Sequence, residues 1–378
     1  MTDVDGNRYV DMVAGFGALL LGHRPPRVAR AIEAQMQRLW LGLGDVYGSD
    51  AKLALCERLV HLLPEPGARV MLGSSGADAV TAALKTAVLA TGRAGVLAFE
   101  GGYHGLSHGP LAACGLTEAF RAPFAGQLGN HVVFAPYPTT AAELDACKIH
   151  VDGALRGRTI GAVLVEPVLG RGGCVVPAPG FLAMLRDACD EAGALLVADE
   201  IWTGLGRAGA MLATVTDGVL PDVVCLGKGL GGGLPISACI GRAHAMEAWG
   251  AHGGTAIHTA THFGAPLACV AATATLETLE DDKLAARAEQ AGTAWREALS
   301  SALQRHGVSE VRGRGLMIGI ALEGGAPRAL SVTRGLLARG YIALTGGRNG
   351  DTLTLSPALT ISDAQMAAFT AALRDALA

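Results

Sequence analysis

Lysine is scarce in this chain: only five of its 378 residues are lysines, within a total of 30 basic residues. Each lysine's setting can therefore be weighed singly. Charge of either sign is also thin, at 17% of residues against 50% apolar, which predicts apolar surface covered by a partner subunit. Aromatic residues make up 4%, no basic stripe interleaves with them, and the formal charge is -4, so nucleic acid is excluded as an expected partner. No uninterrupted apolar stretch reaches the roughly 18 residues of a membrane helix. The N-terminus, Met1-Thr2-Asp3-Val4-Asp5-Gly6, is polar and acidic rather than a signal peptide, which points to the cytoplasm. The eight cysteines show no C-x-x-C spacing and read as buried reduced thiols. His104 and His108 lie four apart in a glycine-rich loop, not on a helix with an intervening glutamate, so no metal is expected there. No G-x-G-x-x-G follows the first strand with an acidic residue some 20 positions on, which argues against a nicotinamide cofactor.

What is present is an alternation of short apolar runs and helical segments. Seven runs read as buried strands: Arg69 to Gly73, Gly95 to Glu100, His131 to Ala135, Gly161 to Glu166, Ala194 to Asp199, Val223 to Gly227 and Ser237 to Gly241. Segments such as Ala77 to Leu89 and Pro179 to Glu191 separate several of them. This predicts an α/β fold with a mostly parallel seven-stranded sheet and helices on both faces. From Glu277 the pattern changes to a long charged helix (Asp282 to His306), one strand carrying Arg312-Gly313-Arg314-Gly315, another helix, strands at Tyr341 to Thr345 and Thr352 to Leu355, and a final helix, Ser362 to Leu377. The expected division is 1–45 as an N-terminal segment joining the small domain, 46–276 as the large domain, and 277–378 as a smaller α+β domain.

Two of the strand ends carry chemistry. Asp199 stands 29 positions before Lys228, and both sit where an apolar run gives way to glycine. A lysine amine can form a Schiff base with an aldehyde cofactor, and a carboxylate can keep a pyridine nitrogen protonated so that the ring accepts electrons; pyridoxal 5'-phosphate (PLP) needs both. Upstream, Ser74-Ser75-Gly76-Ala77-Asp78 opens a helical run, where free amides and the helix dipole suit a phosphate. Ligands of such sheets bind beyond the strand ends, where these groups and Tyr103 are expected to meet.

These residues carry a family resemblance. The segments GSSGADAVTAALKTA, FEGGYHG, VEPVLGRGG, ADEIWTGLGRAG, LGKGLGGGLPISACIG, THFGAPLACVAA and VRGRGLMIGI occur in the order found in class III aminotransferases, PLP enzymes of fold type I, with a further match at DGNRYVDMVAGFGALLLGH. The resemblance implies that Lys228 is the Schiff-base lysine and proton carrier, and that Asp199 pairs with the ring nitrogen. Tyr103 and Ile201 match the residues on the two ring faces, and Ser75, Gly76 and Ala77 the phosphate turn. Thr261 matches a threonine that reaches the phosphate from the neighbouring subunit, which implies a homodimer with shared sites. Glu166 matches an acidic position of the family motif. His262 and Ala265 depart from the aromatic and asparagine usual in that segment. Relatives also tend to have several tens of residues ahead of the DGNRYVDM motif, so part of a substrate-site wall is expected to be missing or abbreviated.

Two departures bear on substrate. Many members acting on glutamate and ω-amino acids have a glutamate at the position of Arg171, paired with an arginine at the position of Thr354. The resemblance therefore implies the amine and ω-amino acid:pyruvate branch rather than an ornithine, acetylornithine or 4-aminobutyrate specificity. Arg348 approximately matches that branch's mobile carboxylate-binding arginine, and Arg171 is its rival, since a guanidinium is a bidentate partner for carboxylate. The expected activity is transfer of an amino group from an amine or ω-amino acid to an α-keto acid such as pyruvate. An isomerase on the same scaffold (amino-acid racemase, epimerase or aminomutase) and a non-catalytic PLP-binding protein are the alternatives.

Overall fold

The computed structural model describes residues 1–251 and 255–378. After a two-residue strand β1 (Val10–Asp11), the chain lays down β2 (Arg69–Gly73), β3 (Gly95–Phe99), β4 (Val132–Ala135), β5 (Ile160–Val165), β6 (Leu195–Asp199), β7 (Val223–Leu226) and β8 (Ser237–Gly241). These seven later strands form one sheet in the order β2-β8-β7-β6-β5-β3-β4. Only β8 runs antiparallel to its neighbours. All six residues of β5 and all four of β7 are buried, as an unbroken Val/Ile/Leu run requires of a strand covered on both faces. Alternate residues of β5 serve opposite cores: Val163 and Val165 pack with Leu182 and Leu185 of the helix Phe181–Ala192, whereas Ala162 and Leu164 pack with Ala79 and Val80 of the helix Gly76–Thr91.

The helix Gly76–Thr91 begins where the sequence provides a capping box. Ser75 Oγ accepts the Asp78 amide (3.2 Å), and Asp78 Oδ2 accepts the Ser75 amide (2.9 Å). It ends at Gly92, whose φ of 68° is the left-handed cap a glycine adopts at least cost.

The remaining strands are β9 (Val308–Arg314), β10 (Met317–Leu322), β11 (Tyr341–Ile342), β12 (Leu344–Gly346) and β13 (Thr352–Leu355). Antiparallel β12-β13-β10-β9 make a second sheet, and β11 pairs in parallel with β1. Two expectations need correction here. The single strand around Arg312 to Gly315 is a hairpin, because Gly315 (φ 52°) turns the chain and sends Met317–Leu322 back along it. The single strand from Tyr341 to Thr345 is divided at Ala343, since its first half pairs with β1 and its second with β13. The long helix is shorter than expected at both ends, Leu284–Ala302: Lys283 adopts a left-handed φ of 50° between it and the helix Pro266–Asp281, and beyond its C-terminal end Arg305 (φ 68°) and Gly307 (φ 69°) turn the chain away.

The N-terminal segment is tied to the C-terminal strands by more than β1. The Ser356 amide donates to Met12 O (2.9 Å), Ser356 Oγ to Val13 O (3.0 Å), and the Leu359 amide to Leu20 O (2.7 Å). Met12, Leu20, Leu226, Trp295 and Phe369 belong to one continuous core. Burial of each such side chain contributes about 1.5–3 kcal/mol, so residues 10–20 are held against the sheet edge that carries the site.

Candidate active site

The parallel strands and β2 all end on one edge of the large sheet, so Ser74, Glu100, Glu166, Asp199 and Gly227 each follow directly or terminate a strand there. Gly76, Ile201 and Gly227 close up behind this edge. A Cβ on Gly76 would stand 2.8 Å from Ile201 Cδ1, and one on Gly227 would stand 3.3 Å from Ile201 Cγ2 and 3.5 Å from Gly76 Cα. Bare backbone at both positions brings the Ser75 turn against the residue that precedes Lys228.

Lys228 itself has a φ of 33°, an unusual value for a residue with a side chain, at the first position of the 3-10 turn Lys228–Gly231. Its Nζ lies 4.6 Å from the centre of the Trp202 ring and makes no hydrogen bond among the described residues. Burial lowers its ammonium pKa below the ordinary lysine value; Asp199 and Glu166 oppose that shift and Arg171 assists it. Lys228 lines a cavity of about 290 Å³ together with Tyr103, Arg171, Trp202, Phe16 and Leu344. A larger groove, about 690 Å³, lies between the helices Leu284–Ala302 and Asp363–Leu377. Its lining has no lysine and no strand-end carboxylate.

Asp199 is buried, 4% exposed, at the end of β6. One oxygen accepts the Ile201 amide (3.1 Å) and the other accepts His104 Nδ1–H (2.7 Å). A carboxylate has room for further donors. His104 is also buried; burial alone would lower its pKa, but the bond to Asp199 and the charges of Asp199 and Glu166 raise it above the ordinary histidine value. Burial pushes Glu166 up to about 7, aided by Asp199 and opposed by His104 and two amides. Those amides are Tyr103 N–H (2.7 Å) and Gly170 N–H (2.9 Å), so Glu166 fastens two segments of the cavity wall.

This donor set fits PLP on three counts. The amine of Lys228 is unengaged within a cavity, and Asp199 retains capacity for a ring N–H. At the head of the 16-residue helix, the amides of Gly76 and Ala77 have no acceptor among the described residues.

Two other expected residues, Thr261 and Arg348, lie outside the cavity lining. Thr261 is exposed and outside the cavity lining. Arg348 is exposed as well and pairs with Glu100 (3.0 Å). Arg171 lines the cavity, its guanidinium carbon 4.7 Å from the centre of the Tyr103 ring. Sequence reasoning weighed His104 only beside His108. The structure separates them: His108 bonds Gln127 (2.7 Å), while His104 turns inward to Asp199. Trp202 was also missed. Its indole fits between two glycines, since a Cβ on Gly17 would meet Nε1 at 2.3 Å and one on Gly170 would meet Cε3 at 2.3 Å.

A doubly wound sheet with a lysine amine, a buried carboxylate and a helix N-terminus at one edge defines a Schiff-base enzyme of the PLP type. Comparison with known proteins narrows this further. The family model for class-III aminotransferases matches residues 1–377, and the chain belongs to that family. It is an aminotransferase and uses PLP. Among curated relatives, it is 40% identical over 376 residues to the acetylornithine aminotransferase of Mycobacterium tuberculosis H37Rv, covering 99% of this chain and 88% of the relative. It is 36% identical over 380 residues to the 4-aminobutyrate aminotransferase GabT of Escherichia coli K12, covering 96% and 88%. Among solved structures, an amine transaminase from an uncultivated Pseudomonas species, in its PLP-bound internal aldimine form, superposes with a TM-score of 0.93 at 31% identity, covering 100% of this chain and 92% of that one.

Proposed function

We propose that the protein transfers an amino group from an amine or ω-amino acid to an α-keto acid such as pyruvate, with Lys228 and Asp199 as its catalytic residues. The observation that carries this reading is the unengaged Lys228 amine facing a cavity whose walls, from Val13, Phe16, Trp202 and Leu344, are largely apolar. When bound, PLP supplies an electrophilic carbon and an electron-accepting ring. Lys228 Nζ would hold it covalently and would carry the proton between the donor carbon and the cofactor carbon. The lowered pKa of Lys228 favours the neutral amine that both tasks need. Asp199 would keep the ring nitrogen protonated, and His104 donates to Asp199. Ser75, Gly76 and Ala77 would hold the phosphate, and Tyr103 and Ile201 would contact the ring. Arg171 and Arg348 are the candidate contacts for a substrate carboxylate.

The substrate range is tested with purified protein and a panel of donors (primary amines, ω-amino acids, N-acetylornithine, 4-aminobutyrate) against several keto acids, read by product chromatography. Consumption of keto acid in step with donor is expected, with neutral amines accepted. An absolute requirement for N-acetylornithine or 4-aminobutyrate would overturn the proposed range. Racemisation without keto acid consumption would overturn transfer itself.

We further infer a cytoplasmic homodimer. Leu39, Trp40, Leu43, Val46, Tyr47 and Leu53 form a run of exposed apolar side chains before and at the start of the helix Asp50–Val60, which a second copy of the chain would cover. All eight cysteines are free and seven are buried, consistent with a reducing compartment. Exposed Thr261 would then serve the partner's phosphate site. Mixing Lys228→Ala protein with Thr261→Val protein, under conditions that exchange subunits, is expected to create sites with both native groups and restore activity above that of either alone. A stable, active monomer in light scattering would refute the shared site.

A further inference from the structure

Among the described residues, the cavity lining holds one cation besides Lys228, and no carboxylate pairs with it. Arg171 makes no ion pair among the described residues, in contrast to Arg348 with Glu100, Arg312 with Glu310 and Arg314 with Asp217. Its side chain is instead supported from below by aromatic rings, Tyr103 at 4.7 Å and Phe120 at 5.8 Å. Stacking engages the faces of a guanidinium and leaves its edge N–H groups available.

The backbone that carries Arg171 is fixed on both sides. Gly170 N–H donates to Glu166 Oε2 (2.9 Å), and Arg171 O accepts the Gly347 amide (2.9 Å). Neither neighbour has room for a side chain: a Cβ on Gly170 would meet Trp202 Cε3 at 2.3 Å, and one on Gly172 would meet Gly101 O at 2.9 Å. The same glutamate that fastens Gly170 also fastens Tyr103, the ring beneath the guanidinium. Arg171 is thus presented to the cavity on a rigid support without a carboxylate to quench it. An arginine so placed offers a two-pronged edge that suits a carboxylate.

We propose that Arg171 is the specificity-determining residue that holds the carboxylate of the amino acceptor, and that the acceptor is a short monocarboxylic α-keto acid. This rests on the aminotransferase reading given above. With Lys228 assigned to the cofactor, Arg171 is the one cation left in the lining among the described residues, and a dicarboxylic acceptor would bring a second charge with no partner among them. Walls of Val13, Phe16 and Leu344 suit the small apolar remainder of such an acid.

The test uses the PLP-loaded enzyme and compares Arg171→Ala, Arg171→Lys and Arg348→Ala with wild type. Acceptors are pyruvate, 2-oxoglutarate and the uncharged propanal, and binding of propionate to the resting enzyme is followed separately by calorimetry. In Arg171→Ala the ratio of kcat/KM for pyruvate to that for propanal is expected to fall about 10- to 100-fold, carried by KM rather than kcat, because a lost charged contact is worth one to two decades. Propionate affinity should fall in parallel. Arg171→Lys should recover part of both, and Arg348→Ala should show the smaller effect. Wild type should prefer pyruvate to 2-oxoglutarate. Equal losses for pyruvate and propanal, a larger pyruvate effect in Arg348→Ala, or a preference for 2-oxoglutarate would overturn the proposal. If wild type transfers no amino group to any acceptor, the function reading fails instead, and the propionate titration still decides whether Arg171 holds a carboxylate.

Discussion

Lys228→Ala protein is expected to fold, to bind PLP only reversibly and to lose amino transfer by about 10,000-fold or more, because proton transfer by a positioned group alone is worth about 100- to 10,000-fold and covalent attachment is lost with it. The wild-type protein should be yellow. Borohydride should bleach it while fixing the cofactor to Lys228, as peptide mapping would read. The other four lysines are poor competitors. Lys52 donates to Gly44 O (2.9 Å), Lys85 donates to Ile257 O (2.9 Å), Lys148 pairs with Asp152 (3.0 Å), and Lys283 is exposed at a helix start. None follows a buried strand at the sheet edge. A reduced adduct on any of those four, or full turnover in Lys228→Ala, would remove Lys228 from its role. Loss of stability is not expected, since alanine takes a partly buried amine out of a cavity where it makes no hydrogen bond among the described residues.

The large sheet was legible in the sequence because strands covered on both faces need unbroken apolar runs, and each of the seven runs marks its strand to within about one residue. Gly-rich turns at the run ends marked the edge where the site forms. Shorter strands of the second sheet were less legible. Arg312 to Leu322 alternates in no way that reveals a reversal, and only the left-handed Gly315 shows where the hairpin turns. Ala343 divides two strands because their partners lie more than 300 residues and about 10 residues away, a fact of pairing rather than composition.

Within the site, residues adjacent in sequence to a recognised motif were found, and residues brought in by long-range packing were not. Val13, Phe16 and Leu344 reach the cavity because β1 pairs with β11 and Ser356 binds the chain at Met12 and Val13. His104 follows Tyr103 directly, so its signal was present. Its meaning depended on Asp199 lying across the sheet edge, 95 positions away. Trp202 likewise follows Ile201, yet its place is set by the missing side chains of Gly17 and Gly170.

That dependence makes Asp199 the second residue whose loss should be severe. Asp199→Ala removes the charge expected to keep the ring nitrogen protonated, and the rate of a single half-reaction with saturating amine should fall on the order of 1,000-fold, equivalent to about 4 kcal/mol of barrier. It also leaves buried His104 without its acceptor, at a cost of about 1–3 kcal/mol in stability. The pH dependence separates this from a general packing loss. His104 has a folded-state pKa above its ordinary 6.5, so its contribution to stability is full below that value and fades as pH rises through the folded one. The gap in unfolding free energy between wild type and Asp199→Ala should therefore be wider near about pH 6 than near about pH 9. Asp199→Asn keeps an acceptor for the imidazole without the charge, and should regain stability at higher pH with little turnover. Asp199→Glu keeps the charge and should retain more activity than either. Near-normal half-reaction rates in Asp199→Ala would take the carboxylate out of the mechanism and leave it as the anchor of His104 alone.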